Sequence, residues 1–256
     1  MCMENFMTKK ELATGIIHYM FPPTTSKFGF NIVAVVDGSK AILIDVAYEA
    51  QAQQVLDDLS AKGITIGKII ISHFHADHLF GINALPDVPI YGGSRYEETL
   101  VFEKSTEEEI KKYTPTVAVD KPTILEFGRH KLEMIPLAGH SVCTMLVKIN
   151  GQFLYVADEL VFHNDGRQTL PYLCDGKRDI KRQLESLHRL KEYTDLTIIP
   201  GHGPAFDGSL LRKYIRNLEI YLNAVLEADG KITYEDAVRN CDYPLLQSNW
   251  HEMNCK

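Results

Sequence analysis

The sequence lacks a long hydrophobic run, a paired cysteine motif and an excess of positive charge. None of its apolar stretches approaches the ~20 residues that a membrane-spanning helix requires, so we expect no membrane partner. Its five cysteines, at positions 2, 143, 174, 241 and 255, are scattered and odd in number, which is typical of reduced thiols. The net charge of −7 disfavours nucleic acid as a partner, because an acidic surface repels phosphate.

Internal repeats, low-complexity tracts and a signal-peptide cleavage site are also missing from the sequence. The fairly apolar stretch 12–21 follows Lys9-Lys10, but polar residues interrupt it, and we interpret it as a first strand. Together with the cysteine pattern, this predicts a cytoplasmic protein. A length of 256 residues suits one large domain, and we expect a single domain over 1–256 with a C-terminal helical extension at about 209–256.

Hydrophobic patterning predicts two strand-rich halves, each accompanied by helices. Asp37-Gly38 in the first half and Asn150-Gly151 in the second are strong hairpin signals between apolar runs. We predict strands at 30–36, 41–46, 68–72, 88–91, 123–127, 131–137, 142–149, 152–157 and 196–199. We predict helices at 49–62, 94–103, 106–113, 177–193 and 209–227. The hairpins are too frequent for a doubly wound parallel sheet, so we expect an α/β fold of layered sheets covered by helices.

Four polar segments directly follow strand-like runs or tight glycine turns. Strand ends hold the backbone while loops free the side chains, so catalytic groups often lie there. The segments are His73-Phe74-His75-Ala76-Asp77-His78, His140 in Gly139-His140-Ser141, Asp158 in Ala157-Asp158, and His202 in Gly201-His202-Gly203. Three histidines and an aspartate at this spacing are a specific signal, whereas His140 or Asp158 alone would be a weak one.

The residue types in these segments indicate a metal site. Imidazole and carboxylate ligands suit a borderline divalent cation such as zinc. Four such residues within six positions cannot all bind one ion comfortably, but they can serve two ions about 3.5–4 Å apart. Two cations at that separation can share a hydroxide, which is a nucleophile near neutral pH. The pattern therefore favours metal-assisted hydrolysis.

The ordered set HFHADH, GHS, AD and GHG resembles the metallo-β-lactamase superfamily, and its lactonase and glyoxalase II-like members in particular. The likeness spans about residues 30–205 and implies a four-layer αββα sandwich with metals at one edge. It also implies a role for each ligand. His73, His75 and His140 would hold the first metal, Asp77, His78 and His202 the second, and Asp158 would bridge them. Asp45 matches a family aspartate that supports the histidine loop without itself binding a metal.

Three departures from the family pattern bear on the substrate. Ala47 stands where the family often has glycine, two residues after Asp45. Val161 stands where acyl-homoserine lactonases typically carry tyrosine, which argues against that substrate. Asp158 stands where the main class of zinc β-lactamases carries cysteine, which argues against β-lactam hydrolysis.

We therefore expect a dinuclear metal-dependent hydrolase that uses a metal-bridging hydroxide to cleave an ester, thioester, lactone or phosphoester bond in a small molecule. Asp77 and Asp158 are the candidate catalytic residues that shuttle the proton. Two divalent ions are expected, zinc first, although iron and manganese accept the same ligands. His163, Tyr172 and Tyr113 are candidate substrate contacts, and the loops 92–122 and 160–176 are expected to shape the pocket.

Three alternatives compete with hydrolysis of a small molecule. The same scaffold hosts iron-dependent oxidoreductases, namely persulfide dioxygenases and diiron proteins, but the complete seven-ligand set favours two metals over a mononuclear dioxygenase. RNA-processing relatives usually carry an extra clamping module, for which this chain has no room. A non-catalytic binding module would more often have lost a ligand. The oligomeric state is left open, and a homodimer is compatible with the sequence.

Overall fold

The computed structural model describes residues 7–23 and 28–256, in which thirteen strands form two sheets. In the first sheet the spatial order follows the chain, with antiparallel pairing up to the fourth strand and parallel pairing afterwards. Its strands are β1 (Thr8–Ala13), β2 (Ile16–Met20), β3 (Asn31–Asp37), β4 (Lys40–Ile44), β5 (Thr65–Ile71), β6 (Ile90–Gly93) and β7 (Val117–Val119). The stretch 12–21, predicted as one strand, instead spans a hairpin, because Gly15 at φ +77 reverses the chain between β1 and β2.

The second sheet has six strands, which in chain order are β8 (Thr123–Phe127), β9 (His130–Pro136), β10 (Met145–Ile149), β11 (Phe153–Tyr155), β12 (Thr197–Ile199) and β13 (Phe206–Asp207). Neighbouring strands are antiparallel except β11 and β12, which are parallel. The predicted turn joins β10 to β11, and Asn150 and Gly151 both have positive φ, 54° and 67°. That is the backbone conformation that a type I′ hairpin requires.

The helices lie mainly outside the two sheets. They are α1 (Glu49–Ser60), α2 (Ala76–Leu79), α3 (Tyr96–Phe102), α4 (Glu107–Tyr113), α5 (Ile180–Leu190), α6 (Leu211–Glu227), α7 (Tyr234–Ala237) and α8 (His251–Asn254). Thr233 caps α7 by accepting a hydrogen bond from the Asp236 N–H at its side chain. Among the described residues, no helix has both the length and the apolar character needed to cross a membrane.

Three hydrophobic clusters separate four layers. Between the sheets, Val33 and Val35 of β3 pack with Met134 of β9 and Val147 of β10. Ala34, the residue between those valines, points the other way and joins the cluster under α1, α3 and α4. A third cluster joins the outer face of the second sheet to α5 and α6. This alternation of period two along a strand produces the αββα sandwich that was predicted.

Several element boundaries differ from the predicted ones. β10 begins at Met145 rather than at 142, because the Ser141 N–H donates to Thr144 Oγ1 (3.1 Å) and holds a turn there. A 3₁₀ turn over Gly176–Asp179 precedes α5, which shortens the predicted helix. β7 and β13 have three and two residues and are too short to show a hydrophobic period. Residues 209–256 contain α6, α7 and α8, and the single-domain organisation remains a prediction.

Candidate metal centre

The seven candidate ligands meet at one edge of the two sheets. His73 and His75 follow β5, and α2 carries the next two, Asp77 and His78. The remaining three lie in the β9–β10 loop, directly after β11 and directly after β12. All seven side chains are buried except Asp77, which is partly exposed to the adjoining cleft. The strand ends therefore deliver distant residues to one place, as their sequence positions suggest.

Three histidines form the first group of ligand atoms. His73 Nε2 lies 3.1 Å from His75 Nδ1, and His140 Nε2 lies 3.0 Å from the same nitrogen. Nitrogens bound to one tetrahedral zinc at ~2.05 Å would be roughly 3.3 Å apart. The spacing of these three nitrogens is therefore close to that of a shared cation.

Asp77, His78 and His202 form the second group. His202 Nε2 is 3.4 Å from Asp77 Oδ2, and His78 Nε2 is 3.8 Å from Asp77 Oδ1. One ligand atom from each residue lies within 4.8 Å of the other two, as is also true of the first group. The site thus offers two adjacent positions, each surrounded by three nitrogen or oxygen atoms.

The carboxylate of Asp158 lies between the two groups. Its Oδ1 is 3.3 Å from His78 Nε2, and its Oδ2 is 3.2 Å from His202 Nε2 and 3.9 Å from His140 Nε2. Among the described residues, His78 Nε2 and Asp158 Oδ1 are buried polar atoms with no hydrogen-bond partner. Unpartnered buried polar atoms are costly and rare, so their presence fits a site built for a cation.

The histidines are held in the tautomer that a metal needs. His202 Nδ1 is 2.7 Å from the carbonyl oxygen of Gly29, and His140 Nδ1 is 3.1 Å from that of Tyr172. A carbonyl oxygen only accepts, so each Nδ1 carries the proton and each Nε2 keeps its lone pair directed inward. His75 is turned the other way and presents Nδ1 to the first group.

Asp45 lies directly beneath the histidine loop and is fully buried. Its Oδ1 accepts from the Ser72 N–H (2.6 Å), and its Oδ2 accepts from Ser72 Oγ (2.6 Å), His78 Nδ1 (2.7 Å) and Tyr155 Oη (2.7 Å). Ser72 Oγ in turn lies 3.1 Å from His73 Nδ1. One carboxylate therefore orients a histidine in each group. A carboxylate oxygen of Asp45 also lies within 4.8 Å of ligand nitrogens of His73 and His78. The Asp45 carboxylate already accepts four hydrogen bonds, so it is not counted among the candidate metal ligands.

The electrostatics of the two groups differ. Burial lowers the pKa of His140 to about 3 and, with neighbouring His78 and His75, holds the pKa of His73 well below its usual range. These imidazoles are neutral, which is the form that binds metal. Burial would also lower the pKa of His78, but Asp158 and nearby carboxylates outweigh it and raise that pKa. The second group thus attracts positive charge, which a metal ion can supply.

A sequence profile of the metallo-beta-lactamase superfamily matches residues 28–202. The chain belongs to this superfamily. Hydroxyacylglutathione hydrolase of Haemophilus ducreyi is 27% identical over 176 residues, which are 67% of this chain and 64% of that protein. A lactamase-like protein of Aspergillus fumigatus is 26% identical over 208 residues, 77% of this chain and 56% of that protein. The chain thus spans roughly three fifths of the length of these curated relatives.

A solved metallo-beta-lactamase from Pontibacter korlensis has the same fold, with a TM-score of 0.66 at 18% identity. The alignment covers 83% of this chain and all of that one. The layered αββα architecture expected from the motifs is therefore confirmed.

Ala47 shows how this chain accommodates a departure from the superfamily pattern. Its φ is +50, in the left-handed region where glycine is unstrained, and its carbonyl accepts the Gly81 N–H at 2.8 Å. The turn after Asp45 therefore adopts a left-handed conformation at Ala47 although this residue carries a side chain. Val161, at the position of the lactonase tyrosine, lines the cleft over the ligands and offers it no hydroxyl group.

A cleft of about 240 Å³ opens over the ligands. Four aromatic side chains line it and are called the aromatic wall below: Phe28, Tyr48, Tyr172 and Trp250. Tyr172 was among the candidate substrate contacts, whereas the other three were not recognised. Nothing in the sequence distinguishes these rings from ordinary core aromatics, because they come from three distant segments that only the fold brings together.

The two other candidate contacts lie outside the lining of the cleft. His163 packs edge-on against Phe28, with ring centroids 5.2 Å apart, and therefore lies one layer behind the aromatic wall. Tyr113 stacks on Phe80, with centroids 5.6 Å apart, and its hydroxyl bonds to Asn83. Both of the loops expected to shape the pocket contribute to the cleft, through Glu103 and Tyr172.

Glu159 is a buried carboxylate that the sequence analysis missed. Its Oε1 accepts the His140 N–H at 2.9 Å, and its Oε2 accepts from Gln183 (3.1 Å) and from Ser186 Oγ. It therefore ties the loop that carries His140 to α5. Its position directly after Asp158 was the available signal, but an adjacent acidic residue is equally compatible with an exposed loop.

Proposed function

We propose that this protein is a dinuclear metal-dependent hydrolase that cleaves an ester, thioester, lactone or phosphoester bond in a small molecule. The observation that carries the proposal is the placement of Asp158 between two groups of three ligand atoms, with unpartnered buried atoms on Asp158 and His78. A cytoplasmic location and a small-molecule substrate are parts of the same proposal.

The residues present fit two divalent cations. His73, His75 and His140 would hold one, and the second group would hold the other, with Asp158 shared between them. Such cations, zinc in the first place, supply Lewis acidity and lower the pKa of bound water to near neutral. Iron and manganese accept the same ligand types, so the identity of the metal as zinc is also a proposal.

The chain's own residues would bind, orient and exchange protons. Asp77 is the better placed proton shuttle, because 29% of its side chain is exposed at the cleft, compared with 9% for Asp158. Asp158 is enclosed by His78 and His202 and is therefore better suited to hold the two positions together. The aromatic wall covers the ligands and limits access of bulk water to the bond being cleaved.

The relatives support hydrolysis at a coarse level. One of them is named hydroxyacylglutathione hydrolase, and at 27% identity that name suggests the reaction type without fixing the substrate. Iron-dependent oxidation on the same scaffold is the competing function. Metal analysis of untagged protein separates the two, since iron together with oxygen consumption would contradict a hydrolase.

The test uses zinc-loaded protein and a panel of chromogenic esters, thioesters, lactones and phosphodiesters. We expect turnover of at least one class and a loss of at least about 10²-fold in His75→Ala, because one cation position loses a ligand. His188→Ala is the matched control, since His188 is an exposed residue on α5. Equal activity in His75→Ala and the control would contradict the proposal.

A further inference from the structure

Three rings of the aromatic wall, Phe28, Trp250 and Tyr172, form a continuous surface across both cation positions. Phe28 stacks on Trp250, with centroids 5.2 Å apart and ring planes 30° apart, and Tyr172 meets Trp250 edge-on at 5.3 Å. Phe28 also lies 5.6 Å from the His202 ring, and Tyr172 lies 6.2 Å from the His140 ring. A molecule whose reacting bond lies over the ligands therefore meets an apolar surface on this side of the cleft.

Among the described residues, the carboxylates are the charged side chains that line the cleft, so all of these have the same sign. They are Asp77, Asp158 and Glu103, and the described residues that line the cleft include no lysine or arginine. Two of the three are ligand candidates, which bound cations would neutralise. Glu103 is not, and it remains at the mouth with its Oε1 3.9 Å from His75 Nε2. Recognition of a substrate carboxylate or phosphate remote from the metals normally uses arginine or lysine.

Trp250 is held in place by its own segment of chain. The Leu246 N–H donates to the Gln168 carbonyl, and the Leu170 N–H donates to the Leu246 carbonyl, both at 2.9 Å. On the other side of Trp250, Asn254 Nδ2 donates to the Pro171 carbonyl at 2.9 Å. The C-terminal segment 245–254 therefore positions Trp250 and also fixes the neighbouring stretch that carries Tyr172. This segment lies beyond residues 28–202, which match the superfamily.

We propose that the substrate is an uncharged acyl compound bearing an aromatic or similarly flat apolar group, and that Trp250 is the residue that selects for it. The proposal rests on the proposed hydrolytic function and narrows it, because it disfavours phosphoesters and thioesters of carboxylate-bearing thiols. The flat group packs on Trp250 and Phe28 while the acyl carbon lies over the ligands. Trp250 is here a specificity-determining residue, in a segment outside the superfamily match.

The kinetic test uses three methyl esters that share the scissile bond and differ at the far end. They are methyl 3-phenylpropanoate, methyl butanoate and monomethyl succinate, and proton release reports the hydrolysis of each. In the zinc-loaded protein we expect kcat/KM for the phenyl ester to exceed that for the succinate ester at least tenfold. Trp250→Ala should lower kcat/KM for the phenyl ester about tenfold more than it lowers kcat/KM for methyl butanoate, and tenfold is the size of one aromatic contact.

Two variants complete the kinetic test. Trp250→Phe should retain most of the preference, because it keeps an aromatic face at the same position. Ile124→Ala truncates a side chain that is 53% exposed on β8 and should change none of the three rates. A preference for monomethyl succinate, or an equal loss on all three esters in Trp250→Ala, would overturn the proposal.

A second measurement does not depend on catalysis. Trp250 is the only tryptophan in the chain, so intrinsic tryptophan fluorescence reports on the aromatic wall directly. We expect uncharged 3-phenylpropanamide to give a saturable change in emission and the anion succinamate to give none, in wild type and in His75→Ala alike. A saturable response to succinamate alone, or to neither compound, would overturn the proposal. An intact response to the amide without turnover of any of these esters or of any substrate in the chromogenic panel would support the binding surface and contradict the proposed function.

Discussion

Replacing Asp45 with asparagine should weaken one cation position far more than the other. The carboxylate of Asp45 accepts four hydrogen bonds, from the backbone and hydroxyl of Ser72, from His78 Nδ1 and from Tyr155 Oη. Asparagine has the same shape but only one accepting oxygen. If that oxygen takes the place of Oδ2, the amide NH₂ group faces the Ser72 N–H, and a buried donor loses its acceptor.

The magnitude follows from this loss. A hydrogen bond to a charged group contributes about 1.5–3 kcal/mol, so we expect the free energy of unfolding in Asp45→Asn to fall by about 2–3 kcal/mol. In a chain of this length that corresponds to a melting temperature lower by roughly 5–10 °C. His78 Nδ1 donates directly to Asp45, whereas His73 is reached only through Ser72 Oγ, so the loss of the carboxylate charge acts mainly on His78. Residues that orient a metal ligand typically contribute 10–100-fold to affinity, so zinc affinity at the position held by His78 should fall by about that factor.

The assay is a zinc titration by calorimetry, with chelator competition for the tighter site. Tyr155→Phe is the control, because it removes one of the four donors and leaves the carboxylate charge unchanged. It should cost about 1.5–3 kcal/mol of stability, as for any hydrogen bond to a charged group, and change zinc affinity less than threefold. Two sites of wild-type affinity in Asp45→Asn, or the same affinity loss in both variants, would refute the role assigned to Asp45.

Three further predictions concern residues away from this network. Gly201→Ala should abolish binding of one cation, because a Cβ there would lie 2.3 Å from Asp158 Oδ1. Gly67→Ala is the control, since its Cβ would lie 3.7 Å from the nearest atom, and metal analysis should find two cations bound to it. Ala47→Gly should be neutral or stabilise by up to about 1 kcal/mol in denaturant titration, since φ is +50. Burial lowers the pKa of His18 from 6.5 to about 4. The stabilising contribution of neutral His18 to the free energy of unfolding is therefore present above pH 6.5 and is lost as the pH falls through 4. His18→Gln should therefore lose about 3 kcal/mol less stability than wild type over that interval in urea unfolding.

The convergence of the seven candidate ligands could be predicted because its signal is local. Four ligands lie within 73–78, and His140, Asp158 and His202 each follow a strand-like run or a glycine turn. Strand ends of a sheet converge at an edge, so sequence order and strand prediction together are enough to suggest a common site. The layered fold was predictable from the hairpin signals and from the resemblance of the motifs to the superfamily. The two faces of β3 were not, because Asn31–Asp37 is apolar at nearly every position and only the structure shows which residue joins which cluster.

The cleft could not be predicted, because its residues share no period and no spacing. Phe28 and Trp250 come from opposite ends of the sequence, and each would be equally at home in a hydrophobic core. The contacts that position Trp250 are hydrogen bonds between the segments 245–254 and 168–173, and no sequence pattern encodes that pairing. Glu159 escaped notice for the opposite reason, since acidic residues in loops are common.

Anomalous diffraction at the zinc absorption edge, on crystals of zinc-loaded protein, tests the central claim most directly. We expect two peaks about 3.5–4 Å apart. One should lie about 2.0–2.2 Å from His73 Nε2, His75 Nδ1 and His140 Nε2, the other at that distance from the ligand atoms of the second group, and both should contact Asp158. A single peak, or a peak bound to Asp45 in place of Asp158, would contradict a dinuclear centre built from these seven side chains.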